Sequence, residues 1–229
     1  MVTTSPQVEA PPAFELNDTD REVLALTDEQ FHAHTWEELK GILASNRLEV
    51  LKRKPSDLVR YIAWSAQTKA QYGSITDFIC QRRLRWEPRR DVTSSPDAPP
   101  EFAFRNPVPF AEPDDYRVLR NDWPYGLEQG VTHLVVWLKT PIPVDDERGD
   151  LLPESRMIVE RFIDGYFVQR LAKEGIEGDH VLWFKNWVKL QSVRGLDHVH
   201  VLVRDVPESI LVEWTGMDED DTIANEKPR

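Results

Sequence analysis

Four β-rich runs, interrupted once by a long helical stripe, fix what the second half of this chain can become. Tyr116 to Asn121 reads as a strand. Val131 to Lys139 (VTHLVVWLK) is an apolar run suited to a central strand. Between them, Asp122-Trp123-Pro124-Tyr125-Gly126 is turn chemistry, punctuated by proline and glycine. Pro141 to Asp150 reads as a polar loop. Pro153 then opens a helix with Met157, Ile158, Phe162, Ile163, Tyr166, Phe167 and Leu171 on its apolar stripe, and Gly175 ends it. Val181 to Trp187 (VLWFKNW) and His198 to Arg204 (HVHVLVR) return to strand patterning. Pro207 starts a short last helix. The order strand, strand, helix, strand, strand predicts an α+β core with an antiparallel sheet over residues 113–216.

The first half predicts helices, from about Leu24 to Trp86. Thr35 and Glu38 form a capping-box pair, so a helix should begin at Trp36 with Leu39, Ile42 and Leu43 inward. Pro55-Ser56-Asp57 opens a second helix carrying Leu58, Tyr61, Ile62 and Ala66, and Gly73 is its natural stop. Ser74 caps a third, with Ile75, Phe78 and Ile79 inward. Such stripes are far more often core than ligand site. The chain therefore divides into a disordered tail (1–13), a helical subdomain (14–90), a linker (91–112) containing DVTSSPDAPP, the α+β core (113–216) and an acidic tail (217–229).

Composition narrows the function classes. The formal net charge is −12, of which the run Asp218 to Arg229, with five acids and two bases, supplies −3. The remaining −9 argues against tracking nucleic acid, which needs a basic face. The cluster Arg82, Arg83, Arg85, Arg89 and Arg90 reads first as a solvated helix end, where positive charge suits the macrodipole. A single cysteine, Cys80, cannot form an internal disulfide. No apolar run is long enough to span a bilayer, and no signal peptide is legible. The expected location is the cytoplasm, with the nucleus also open. No cofactor signature and no metal-ligand spacing is present.

His198 and His200 carry the sharpest chemistry. Residues two apart on a strand face the same side, so two imidazoles project together. Each can act as nucleophile, acid or phosphate partner near neutral pH. An isolated His-x-His is more often a hydrogen-bonded strand pair, and the neighbours change those odds. His198-Val199-His200-Val201-Leu202-Val203 resembles the strand signature of the histidine-triad superfamily of nucleotide hydrolases and transferases. Gln191-Ser192-Val193, Asn186, Pro124-Tyr125-Gly126 and Thr132-His133-Leu134-Val135-Val136 are similar to segments of that superfamily in the same order. The resemblance covers about Tyr116 to Val206.

The resemblance implies a histidine-triad-like fold and attack on an α-phosphorus by His200, giving a nucleotidyl-histidine, with His198 orienting it or holding the phosphate. Asn186, Gln191 and Ser192 would donate to phosphate oxygens, and Arg194 or Lys185 would supply charge. His133, Trp123 and Tyr125 join as ligand contacts. Trp137, Trp183 and Trp187 are further stacking candidates. The superfamily also implies a homodimer. One departure stands out: Leu202 occupies the third histidine position and cannot donate to phosphate.

A second resemblance runs from about Phe14 to Gly216. RNDWPYG, THLVVWLKTPIPVD, VLWFKNW and LQSVRGLDHVHVLVRDVP are similar to the fungal N-acetylglucosamine-induced protein family. Two functions follow as expectations. One is a hydrolase or transferase acting at the α-phosphate of a nucleotide or nucleotide sugar. The other is a non-catalytic protein binding a sugar phosphate or nucleotide in amino-sugar metabolism, which Leu202 favours.

Overall fold

The computed structural model describes residues 16, 18–89, 100–193, 195–217 and 222–223. The N-terminal tail, most of the DVTSSPDAPP segment, Arg90, Arg194 and most of the acidic tail lie outside the described residues.

The second half builds one antiparallel sheet from β1 (Tyr116–Arg120), β2 (Val131–Leu138), β3 (Val181–Phe184) and β4 (His198–Arg204), in the order β1-β2-β4-β3. The fold is therefore α+β. β2 and β4 are central, which explains why their sequences are apolar on both faces. Register pairs Trp137 with His198, Val135 with His200 and His133 with Leu202. β3 ends at Phe184, paired with His200, three residues before the aromatic run does.

One sheet face is a conventional core. Val199, Val201 and Val203 of β4 and Leu134, Val136 and Leu138 of β2 pack against two helices, α5 (Pro153–Ile163) and, after it in the chain, the C-terminal helix Glu208–Thr215. The helix from Pro153 does not run straight to Gly175. It widens into a π turn at Asp164–Val168 and continues as α6 (Gln169–Ala172), which leaves Glu208–Thr215 as α7. Val159, Phe167, Val199, Val201 and Val203 are fully buried. Each such side chain stabilises by roughly 1.5–3 kcal/mol relative to exposure.

The other face carries Leu119, Val135, Trp137, His198, His200 and Leu202, and the N-terminal helices cover it. These are α1 (Asp18–Leu24), α2 (Trp36–Ala44), α3 (Pro55–Tyr72) and α4 (Ile75–Phe78), the last running into a π turn at Ile79–Leu84. α1 begins ahead of the expected start at Leu24. The Thr35 capping box forms as expected: its hydroxyl accepts from the Glu38 N–H and the Glu38 carboxylate accepts from the Thr35 N–H. Asp28 accepts from the Ser56 N–H and hydroxyl and so anchors the start of α3, and Gly73 ends that helix at φ +88°. No helix among the described residues is long and apolar enough to cross a membrane.

The helical half is tied to the β1–β2 loop by main-chain bonds. Gly126 N–H donates to the Lys52 carbonyl, His34 N–H to the Gly126 carbonyl and Glu128 N–H to the His34 carbonyl. The Phe31 ring lies so close that a Cβ at Gly126 would sit 2.2 Å from it. Any side chain there would force the Phe31 ring to move. This tie sets where Arg53 stands.

Candidate functional site

Between the histidine-bearing sheet face and helices α3 and α4 lies a cavity of about 70 Å3, within a wider depression that opens to solvent. A water needs on the order of 10–15 Å3 of such space, so the cavity takes several waters or a small polar group. His198 and His200 of β4, Asn186 just beyond β3 and Ser192 of the β3–β4 connection line it. So do Trp123 and Tyr125 of the β1–β2 loop and Trp137 of β2. The helices bring Arg53, Tyr61, Trp64 and Arg83.

The other sequence candidates fall elsewhere. Lys185 is not in the cavity: β3 ends before it, and its buried ammonium pairs with Asp197 at 3.2 Å. Gln191 does not line the cavity either; its amide donates to the Asn186 carbonyl at 2.7 Å and braces the loop. Trp183 packs with the opposite core, and Trp187 packs near Leu202. His133 is buried behind His200 and reaches the cavity only through it. Arg194 lies outside the described residues.

His133 and His200 form a hydrogen-bonded chain. His133 Nδ1 faces two donors, the Tyr125 N–H at 3.4 Å and the Asn121 amide at 3.3 Å. The Asn121 orientation is set because its oxygen accepts from the Trp123 N–H at 2.9 Å. Its amide nitrogen also lies 3.2 Å from His133 Nε2. That same Nε2 lies 2.9 Å from His200 Nδ1. His200 Nε2 lies 3.3 Å from the Asn186 side-chain amide, which also meets the Tyr125 hydroxyl at 3.2 Å. Both nitrogens of His200 are therefore engaged. His198 differs: its Nδ1 lies 2.7 Å from the Leu196 carbonyl. A carbonyl oxygen only accepts, so the His198 proton sits on Nδ1 and Nε2 keeps its lone pair.

Burial holds all three rings neutral. It pulls His198 down to about 4, against the opposing pull of the Leu196 carbonyl. Burial and then the Arg53 charge bring His133 to about 3. His200 is pushed well below the usual histidine range by burial, then by His133, His198 and Arg53. Among the described residues, no group of three or more His, Cys, Asp or Glu side chains is placed to hold a metal ion.

The fixed charge comes from Arg53, which composition alone did not single out. Its guanidinium stacks 4.0 Å over the Tyr61 ring and donates through Nε to the Trp123 carbonyl at 3.2 Å. No carboxylate among the described residues pairs with it. Arg83 is paired with Asp122 and Arg120 with Glu208. Two buried polar atoms at the wall, Trp123 Nε1 and Asn186 Oδ1, have no hydrogen-bond partner among the described residues. Among the described residues the site thus offers a cation without a carboxylate partner, aromatic walls and unmet polar groups. The basic run Lys52-Arg53-Lys54 ahead of Pro55 is the sequence signal that could have marked it.

Leu202 is fully buried with Trp36, Leu39 and Phe184, away from the cavity. Leu202→His is expected to cost about 2–4 kcal/mol, because it buries a polar ring in an apolar layer. Urea unfolding measures this; a variant as stable as the parent would place position 202 within the polar site.

The fold and site define an α+β protein with a helix-covered histidine cavity on one face of its sheet. The chain belongs to the family described as protein of unknown function DUF3605, whose profile matches residues 35–204. It is 32% identical over 191 residues to N-acetylglucosamine-induced protein 1 of Candida albicans, covering 78% of this chain and 71% of that one. It is 28% identical over 200 residues to an uncharacterized protein of Saccharomyces cerevisiae, covering 86% and 92%. The crystal structure of HTC1 superposes with a TM-score of 0.56 at 28% identity, covering 76% of this chain and 86% of that one.

Proposed function

We propose that the cavity binds a small phosphorylated molecule, a nucleotide or nucleotide sugar, by its phosphate. The observation that carries this is Arg53: a guanidinium without a carboxylate partner among the described residues, held at the wall of a cavity that also gathers His198, His200, Asn186 and Ser192. A half-buried guanidinium without a carboxylate partner among the described residues is free to meet a ligand anion with charge-assisted hydrogen bonds. Tyr61, Trp64 and Trp123 supply faces on which a base or sugar stacks. About 70 Å3 suits a phosphoryl group, and the rest of the ligand lies in the outer depression. The histidine-triad resemblance and the amino-sugar induction named for the Candida relative support a nucleotide-linked amino sugar as the first ligand to try.

Turnover at the α-phosphate, by hydrolysis or nucleotidyl transfer, is what the histidine-triad resemblance adds. A purely binding, regulatory role is the alternative, and Leu202 at the third position favours it.

Thermal unfolding with UDP-N-acetylglucosamine, a dinucleoside polyphosphate, N-acetylglucosamine 6-phosphate and uncharged N-acetylglucosamine tests the binding. A phosphorylated ligand at a hundred times its Kd should add about 2.7 kcal/mol, several degrees in Tm for a chain this size. Arg53→Ala should weaken that ligand's binding roughly 10- to 100-fold. Equal stabilisation by the uncharged sugar, or unchanged affinity in the variant, would reject the reading.

A further inference from the structure

We infer that Asn186 and His198 form a pair of hydrogen-bond acceptors that receives hydroxyl groups of the ligand's sugar, while its phosphate lies apart from them at Arg53. The inference rests on the phosphate-binding reading and adds the part of the ligand that the histidine wall recognises.

The argument is one of hydrogen-bond polarity. The Asn186 amide nitrogen faces two acceptors, the Tyr125 hydroxyl oxygen at 3.2 Å and His200 Nε2 at 3.3 Å. An amide nitrogen carries two N–H donors, so both are committed. What remains is Oδ1, which has no hydrogen-bond partner among the described residues. Asn186 therefore offers the cavity an acceptor. His198 does the same. Its Nδ1–H donates to the Leu196 carbonyl at 2.7 Å, and Nε2 has no partner among the described residues. Burial keeps that nitrogen unprotonated at neutral pH, and the Trp137 ring, 4.7 Å away between centres, holds the imidazole in place. The two residues are 4% and 5% exposed, and both line the cavity. Both also neighbour His200, whose ring centre is 5.2 Å from that of His198, so adjacent hydroxyls of one sugar ring reach the two acceptors together.

A phosphate does not fit this pair. At neutral pH the free oxygens of a phosphate diester carry no proton, and against Oδ1 or Nε2 they would set lone pair against lone pair. The groups that complete two neutral acceptors are neutral donors, and a sugar's hydroxyls supply them. The phosphate goes instead to the donors of the same cavity, the Arg53 guanidinium and the Tyr125 hydroxyl. That hydroxyl accepts from Asn186, which leaves its own proton for an oxygen of the ligand. Tyr125 is close to both ends, since the Arg53 guanidinium lies 5.8 Å from the centre of its ring. Phosphate and hydroxyls are therefore held on neighbouring parts of one ligand. A site that accepts from a hydroxyl discriminates strongly against ligands lacking it, so this pair decides which phosphorylated sugar enters.

The test measures binding of UDP-N-acetylglucosamine to the full chain by calorimetry, beside analogues in which fluorine replaces one hydroxyl of the hexose or one of the ribose. Fluorine cannot donate, and the phosphates are unchanged. At least one analogue should bind roughly 10- to 100-fold more weakly, and whether it is a hexose or a ribose analogue identifies the sugar that faces the histidine wall. His198→Phe keeps a ring against Trp137 and removes the lone pair. It should weaken the parent ligand by a similar factor and leave the affected analogue's affinity unchanged, a coupling that a merely structural role would not produce. Asn186→Ala repeats the comparison, so the outcome does not depend on one variant folding. Arg53→Ala should weaken parent and analogues alike. Equal affinity for every analogue, or a penalty for the missing hydroxyl that persists in full in both variants, would overturn the inference while leaving the phosphate reading intact. No binding of the parent probe would remove the phosphate reading and this inference with it.

Discussion

Between pH 7.5 and pH 5 the protein is expected to lose about 6 kcal/mol of stability, before most carboxylates titrate. The cause is the three buried imidazoles, His133, His198 and His200, all held below their ordinary value of 6.5 in the fold. A histidine whose pKa is depressed by folding binds its proton in the unfolded chain first. Stability is therefore complete above pH 6.5 and declines as pH falls toward the folded values near 3 to 4. At pH 5 each unfolded histidine lies about 1.5 units below its pKa, worth about 2 kcal/mol per ring. Half-buried His34 shifts the same way and adds to the decline. Since domains of this kind have about 5–15 kcal/mol in total, the effect should be visible as partial unfolding near pH 5. Urea denaturation at half-unit pH steps measures it, and His198→Asn should flatten the curve by about 2 kcal/mol. A stability that stays level from pH 7.5 to pH 5 would mean the histidines are solvated rather than buried as described.

The second large effect is expected from Asp197→Ala, at about 3 kcal/mol of destabilisation. Asp197 accepts from the Ile142 N–H at 3.1 Å with one carboxylate oxygen and meets the Lys185 ammonium at 3.2 Å with the other. The Lys185 side chain is only 5% exposed, so removing its partner strands a buried charge. Breaking a buried pair in this way costs about 3–5 kcal/mol, and the low end applies because the Asp197 side chain is 27% exposed. Lys185→Met together with Asp197→Ala should recover part of the loss, since no charge is then left unpaired. A single variant with parental stability would free Lys185 to reach the cavity after all. The pair also explains why Lys185 does not serve as a phosphate ligand: its ammonium is committed to Asp197.

How much of this was legible depended on the range of the physics involved. His198 and His200 share a face because a strand has period two, and that needs nothing beyond the strand itself. The capping box at Thr35, the stop at Gly73 and the opening at Pro55 are equally local. Asn186 and Ser192 were implied by the histidine-triad resemblance rather than by patterning, and they line the cavity. Arg53, Tyr61 and Trp64 were not legible as site residues. Their stripe on α3 reads as core, and their approach to the sheet depends on the loop tie at Gly126 and Lys52, a contact between distant parts of the chain. His133 was recognised but given the wrong neighbourhood. The register that sets it opposite Leu202 and behind His200 is a product of sheet pairing, which single-strand patterning does not contain. Leu202 at the third position looked like damage to a triad. In the fold it belongs to the apolar layer beneath α2, so its residue type is explained by packing.

The account's central claim is that the helix-covered cavity is a phosphate site built around Arg53. A crystal structure of the full chain with UDP-N-acetylglucosamine tests that most directly. The account predicts a phosphate of the ligand within hydrogen-bond distance of the Arg53 guanidinium, in the cavity lined by His198 and His200. Ligand bound instead on the exposed arginines Arg82, Arg85 and Arg89, or a cavity holding only water at saturating ligand, would contradict it.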